Sequence, residues 1–175
     1  FVVGDAGQGT VVMDGGALNV ANHLRTGNAA NSDGVAELKG GVATVGRFLS
    51  GLDGRGRLVV DGATLNTTLT GEDCQIAQNA GSEGQVIVRS GTVNVAKDLY
   101  LCYYAGSTAT LTIEGTGALN VRDINLRQGT DTARIEMTGG QLNGRILYIA
   151  GVANSRAAVD VSGGSVALTG NLIAG

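Results

Sequence analysis

Apolar side chains fall on every second position of GTVVMDGGALNV, residues 9–20, until a Gly-Gly pair breaks the beat and it resumes. The phrase returns as VAELKGGVATV, LVVDGATLNT, GQVIVRSGTVNV, ATLTIEGTGALNV, ARIEMTGGQLN and AAVDVSGGSVAL. Period-two alternation belongs to a strand with one buried face. Each phrase therefore predicts two short strands joined at a glycine corner.

Stacking the phrases gives columns. The first strands place Val11, Ala36, Leu58, Val86, Leu111, Ile135 and Val159 inside, and two residues on Met13, Leu38, Val60, Val88, Ile113, Met137 and Val161. Their neighbours Val12, Glu37, Val59, Ile87, Thr112, Glu136 and Asp160 fall outside. The second strands bring Leu18, Ala43, Leu65, Val93, Leu119, Leu142 and Val166 inward, and put Asn19, Thr44, Asn66, Asn94, Asn120, Asn143 and Ala167 outward. A third strand keeps the same rhythm, with inward residues starting at Phe1, Leu24, Phe48, Cys74, Leu99, Ile124, Leu147 and Leu172, spaced 23, 24, 26, 25, 25, 23 and 25 residues apart.

A repeat of that length with three strands reads as one turn of a β-solenoid, each strand pairing in parallel with its own copy one coil later. The crossover rule makes the coil right-handed. The predicted fold is all-β: a right-handed parallel β-helix of about seven coils, occupying residues 1–175 as a single solenoid segment. Gly15, Gly40, Gly62, Gly115, Gly139 and Gly163, with Ser90 as the exception, stand first at the corner and are expected to hold positive φ. The corners after the third strand, NAANSDG, LDGRG, AGSEG and VANSRA, are looser, and TTLTGED at 67–73 lengthens one coil.

The phrase G-T-L-x-V-x-G-G-x-L-N-V, followed by a short L-x-L-G-like strand and an A-G-S-x-G loop, resembles the repeats in passenger regions of bacterial autotransporter-type surface proteins and related large secreted β-helix proteins. The resemblance covers the whole chain. It implies a stalk or scaffold, secreted or at a bacterial cell surface, with no shared catalytic motif.

Composition narrows the field. Thirty Gly, no Pro and no Trp, with four Tyr and two Phe, mark a repetitive chain. A net charge of -3 with scattered arginines offers no stripe for nucleic acid, and no apolar run approaches the ~20 residues of a membrane helix. Calcium-binding G-G-x-G-x-D repeats are missing, and GDAGQG and DGRGR precede strands where a phosphate loop needs a helix. No cofactor or metal is expected.

Candidate chemistry is sparse. His23 is read as a solvated corner residue, because no Ser or Cys nucleophile stands at a dyad spacing. Outward Glu136 and Asp160 lie in adjacent coils, ~5 Å apart by the strand spacing, and read as neighbours on a wet face. Cys74 and Cys102, three residues out of phase, should sit ~11 Å apart, beyond disulfide reach, with side chains on opposite faces.

Two surfaces stand out. Asn19, Asn66, Asn94, Asn120 and Asn143 form a polar ladder that stabilises the stack or presents a flat glycan-binding face. Outward Leu49, Tyr100 and Tyr148, with Tyr103 and Tyr104 beyond, form a candidate contact surface for surface glycans or another molecule. The reading that follows is a structural or adhesive extracellular scaffold without catalysis, the alternative being a glycan-binding or polysaccharide-processing β-helix. Both ends are apolar and in the same phase, FVVG and NLIAG. They predict flanking repeats of the same chain, part of a longer repeat protein, as partners, or else end-to-end self-association.

Overall fold

The computed structural model describes residues 1–126, 132–150 and 156–175. In chain order the strands are β1 (Val2–Val3), β2 (Gln8–Thr26), β3 (Asp33–Ser50), β4 (Arg55–Thr67), β5 (Cys74–Ile76), β6 (Glu83–Asn94), β7 (Leu99–Leu101), β8 (Thr108–Ile113), β9 (Ala118–Asn120), β10 (Asp123–Leu126), β11 (Thr132–Gly144), β12 (Ile146–Ile149), β13 (Arg156–Leu168) and β14 (Leu172–Ala174). The described residues contain no helix. Every strand pairs in parallel with its counterpart one coil away, which makes the molecule a β-solenoid.

The registers are the ones the alternation dictates. Val11 pairs with Ala36, Ala36 with Leu58, Leu58 with Val86, Val86 with Leu111, Leu111 with Ile135 and Ile135 with Val159. In the third column Cys74, Leu99, Ile124, Leu147 and Leu172 stack in order. Leu58, Val60, Leu65, Leu99, Leu111 and Ile113 are at most 1% exposed within one continuous apolar cluster. Each such side chain contributes roughly 1.5–3 kcal/mol by leaving water. Two hydroxyls also lie inside, and they satisfy each other: Thr26 Oγ1 donates to Ser50 Oγ at 3.2 Å, and Ser50 Oγ donates to the Gln85 carbonyl at 3.0 Å.

In the outermost coil the inward columns open to solvent, with Val161 50%, Val166 39% and Leu172 62% exposed, because that coil has a neighbour on one side only. Two outward residues behave the other way. Val59 and Ile87 are 3% and 6% exposed yet stand apart from the interior cluster. They sit in mid-sheet on adjacent coils, and by alternation share their face with the long side chains of Arg57 and Arg89.

The glycine corner differs from the sequence expectation by one position at Gly40, Gly139 and Gly163, and meets it at Gly15, Gly62 and Gly115. Positive φ falls on the second residue of the corner, Gly16, Gly41, Gly91, Gly140 and Gly164, at 75°, 77°, 85°, 70° and 82°. Gly40, Gly139 and Gly163 are not left-handed, which is why Ser90 is tolerated in the same place. Positive φ falls on the first residue in three coils: Gly62, followed by Ala63, Gly115, whose corner is one residue longer, and Gly15, at 156° beside the left-handed Gly16. Crowding compounds the constraint, since a Cβ on Gly140 would stand 2.2 Å from the Gly117 carbonyl oxygen of the preceding coil. The strand does not stop at this corner in most coils; β2, β4 and β11 run through it with shifts of register.

A second left-handed position closes the third strand, and here side chains are accepted: Ala77 at 58°, Cys102 at 58° and Ala150 at 51° stand where Gly4, Gly27 and Gly51 stand elsewhere. This turn overturns the expected orientation of Cys102. The strand alternation ends at Leu101, the left-handed residue swings inward as well, and both Cys74 and Cys102 are buried in the interior with no disulfide between them. Burial pushes the Cys74 thiol up to about 12.

Candidate functional site

The outward side of the third strands carries Arg25, Leu49, Gln75, Tyr100, Asn125 and Tyr148 in register. Leu49 does not belong to a contact surface: it is 2% exposed. The left-handed turn folds the chain back so that the residue three positions on comes over the strand. Asn28 accepts from Arg25 Nη1 at 3.4 Å, the Tyr103 ring meets Tyr100 edge-on at 5.2 Å between centroids, and Leu52 occupies the same place beyond Leu49. Tyr100 and Tyr103 are half-buried in this roof, and Tyr148 is half-buried on the same column. Of the aromatic residues picked out from the sequence, Tyr104 alone is strongly exposed, at 54%, and its ring meets Tyr103 edge-on at 4.9 Å.

The polar ladder forms over four of its five members. Asn94 Nδ2 donates to Asn66 Oδ1 at 2.8 Å, Asn120 to Asn94 at 2.8 Å and Asn143 to Asn120 at 2.9 Å, all half-buried. Asn19 stands outside it, because Thr44 occupies the rung between Asn19 and Asn66 and has no amide to pass the chain of bonds along. The ladder is thus an internal use of these amides. Asn94, Asn120 and Asn143 each spend one amide N–H on the ladder and keep the other outside it.

A feature that alternation could not reveal runs along the corner before the third strand. Arg122 forks onto Asp98, Nε to Oδ1 at 2.8 Å and Nη2 to Oδ2 at 2.7 Å, and Arg145 forks in the same way onto Asp123 at 2.9 and 2.5 Å. Lys97 reaches Asp73 at 3.1 Å, and Arg47 reaches Glu72 at 2.9 Å. The Arg145 fork, with Arg122 nearby, holds the Asp123 carboxyl below its ordinary range against the opposing effect of burial. The signal in the sequence was the shifted doublets K-D-L, R-D-I and R-I-L, whose basic member in one coil meets the acid of the coil before.

His23 is held at one end of this ridge and is not simply solvated. Arg25 Nη2 donates to Nδ1 at 3.0 Å, so Nε2 carries the proton and faces Glu72 at 3.2 Å. Glu72 belongs to the inserted segment 67–73 and reaches across to His23 from two coils away. A base needs a free lone pair; the only one on this ring is occupied by a guanidinium. The acid pair is engaged too: Glu136 and Asp160 are register partners, and Arg134 bridges them at 2.9 and 2.8 Å.

The loops after the third strand share a turn. Asn31, Gly81 and Gly106 are left-handed, and the buried serine that follows each one donates back three residues, Ser32 to Ala29, Ser82 to Asn79 and Ser107 to Tyr104. The matching VANS of the last such corner, residues 152–155, lies outside the described residues. The loop of β3 to β4 is shorter, and a notch of about 390 Å³ opens there, walled by Asn31, Asp33, Asp53, Arg55 and Glu83. Arg55 pairs with Glu83 at 3.1 Å. Among the described residues no three His, Cys, Asp or Glu side chains converge as metal ligands, and no helix is long and apolar enough to cross a membrane.

Comparison with protein-family models, with curated proteins and with solved structures gives no match for this chain.

Proposed function

We propose that the chain is a rigid structural or adhesive scaffold, a β-solenoid rod that spaces or presents other parts of an extracellular protein and does no catalysis itself. The observation that carries this reading is the continuity of the ladders: apolar columns inside, and an amide ladder and a charged ridge outside, tie each coil to the next. Stiffness along one axis is the property such an arrangement supplies, and seven coils at ~4.8 Å give a rod of about 34 Å. The engagement of Glu136, Asp160 and His23 with arginines also supports the non-catalytic reading. Resemblance of the repeat phrase to autotransporter-type passenger regions supports a secreted or cell-surface setting.

Pulling single molecules from the two ends tests the mechanical part. A scaffold of this kind should resist and then yield in repeated steps of one coil, each releasing about 25 residues as the repeat length requires. Smooth extension at low force would contradict it. Release of reducing ends from any of a panel of polysaccharides incubated with the chain would overturn the non-catalytic part.

A further inference from the structure

The register of the third-strand loops brings three side chains of different chemistry into one row. Asn79 N–H donates to the Leu52 carbonyl and Tyr104 N–H to the Gln78 carbonyl, so Asp53, Asn79 and Tyr104 occupy the same loop position in three successive coils. The row is stiff before any ligand arrives. Asn79 Nδ2 donates to Asp53 Oδ1 at 2.7 Å, Ser82 and Ser107 fasten the carbonyls of Asn79 and Tyr104, and Gly81 N–H donates to the Gly106 carbonyl at 2.7 Å between the two loops. The Tyr104 ring is braced edge-on by Tyr103, and Tyr103 by Tyr100. Two of the four tyrosines of the chain thus serve to hold a third, exposed ring in place.

We propose that Asp53, Asn79 and Tyr104 form a binding site for a neutral oligosaccharide, one pyranose ring lying against Tyr104 and hydroxyls bonding to the Asp53 carboxylate and Asn79 amide. The proposal deepens the contact-surface part of the scaffold reading and rests on it. A sugar ring offers an apolar C–H face to an aromatic side chain and a rim of hydroxyls, and a ring beside a carboxylate and an amide answers both. The bond between Asn79 and Asp53 uses one carboxylate oxygen and one amide hydrogen, and the second oxygen and the amide carbonyl remain acceptors for hydroxyl donors. Asp53 also forms a wall of the neighbouring notch, where a further ring would meet Asn31, Asp33 and Arg55. The excess of carboxylates around it, Asp33, Asp53 and Glu83 against Arg55, disfavours an anionic sugar. Loops already ordered lose little entropy on binding, which suits a shallow site.

The test is an amide NMR titration of the whole chain with maltotriose, cellotriose and triacetylchitotriose at millimolar concentration, repeated on Tyr104→Ala, Tyr104→Phe, Asp53→Ala and Tyr148→Ala. One of the three sugars should shift the amides of Asp53, Asn79 and Tyr104. Tyr104→Ala should weaken that binding about tenfold, the scale of a lost aromatic stacking contact, while Tyr104→Phe and Tyr148→Ala keep it. Asp53→Ala should weaken it as well, which keeps the test open if Tyr104→Ala folds poorly. No shift with any of the three sugars overturns the proposal. Shifts centred elsewhere, or unchanged in Tyr104→Ala, overturn this site and leave the contact-surface reading standing.

Discussion

Single positions in this chain are constrained by the copy of themselves in the next coil. Val88 is fully buried between Val60 and Ile113. Val88→Asp places an unpaired charge there and should cost several kcal/mol, about 3 or more, whereas Glu37→Gln on the outer face should leave the denaturant midpoint almost unmoved. Gly140 is both left-handed and crowded by the Gly117 carbonyl, so Gly140→Ala should cost about 1–3 kcal/mol. Ser90→Gly loses the bond that Ser90 Oγ donates to Asp61 at 2.8 Å and should cost about 1 kcal/mol. Gly40→Ala, at the first corner position, where φ is ordinary and the nearest atom stands 3.3 Å away, should cost at most about 0.5 kcal/mol. Equal midpoints for the Gly140 and Gly40 variants would contradict this account of the corner. Asn94 both donates and accepts in the amide ladder, and Asn94→Ala should cost about 1 kcal/mol per bond lost. Thr44→Asn should supply the missing rung and raise the melting temperature.

The inserted segment 67–73 makes the clearest case of a local element with its own chemistry. It is held by Glu72 to Arg47 and His23, by Lys97 to Asp73 and the Gly71 carbonyl, and by Arg47 Nη1 donating to the Asp73 carbonyl. Burial, together with Arg47 and Arg25 and against Glu72, holds His23 below its ordinary value of 6.5. A base so lowered binds its proton more readily in the unfolded chain, so its stabilising contribution is whole above pH 6.5 and is lost as pH falls below that toward the lowered value. Asp123 acts in a separate window: its carboxyl is lowered from 3.8, and its contribution disappears only as pH falls below that. Urea midpoints followed from pH 8 to pH 5 should therefore drop below about pH 6.5, and the drop should vanish in His23→Gln; a flat profile in the parent chain would contradict the geometry around His23. Alternation made the strands and their registers legible, because residues such as Leu58, Val86 and Leu111 repeat a buried-face pattern of period two. It could not reveal the roof over Leu49, which depends on a backbone reversal at Gly51, nor the inward turn of Cys102, which depends on a left-handed residue that carries a side chain. The charged ridge was hidden for another reason: its partners, Arg122 with Asp98 and Arg145 with Asp123, lie a full coil apart in sequence. Of the surfaces, Tyr100, Tyr103 and Tyr104 were visible in the sequence, while the row of Asp53, Asn79 and Tyr104 emerged only from the loop register.

The molecule as a whole behaves as a stack in which each coil contacts chiefly its neighbours, and stability should grade along the axis accordingly. Hydrogen exchange should be slowest in the coils of β4, β6 and β8, and fastest in β1 and β14, where the apolar side chains of Val2 and Leu172 are 43% and 62% exposed. A rod of stacked coils also makes a geometric demand that no other architecture shares: distance along one column must grow in proportion to coil number. Val12, Thr112 and Asp160 share the outer column of the first strands, Thr112 four coils and Asp160 six coils beyond Val12. Spin labels at these positions, in a background with Cys74 and Cys102 replaced by Ala, allow the spacing to be read by pulsed electron resonance. The rod predicts backbone separations of about 19 Å for Val12 to Thr112 and about 29 Å for Val12 to Asp160. Equal separations for the two pairs, or a shorter one for the pair six coils apart, would contradict the solenoid and the scaffold reading built on it.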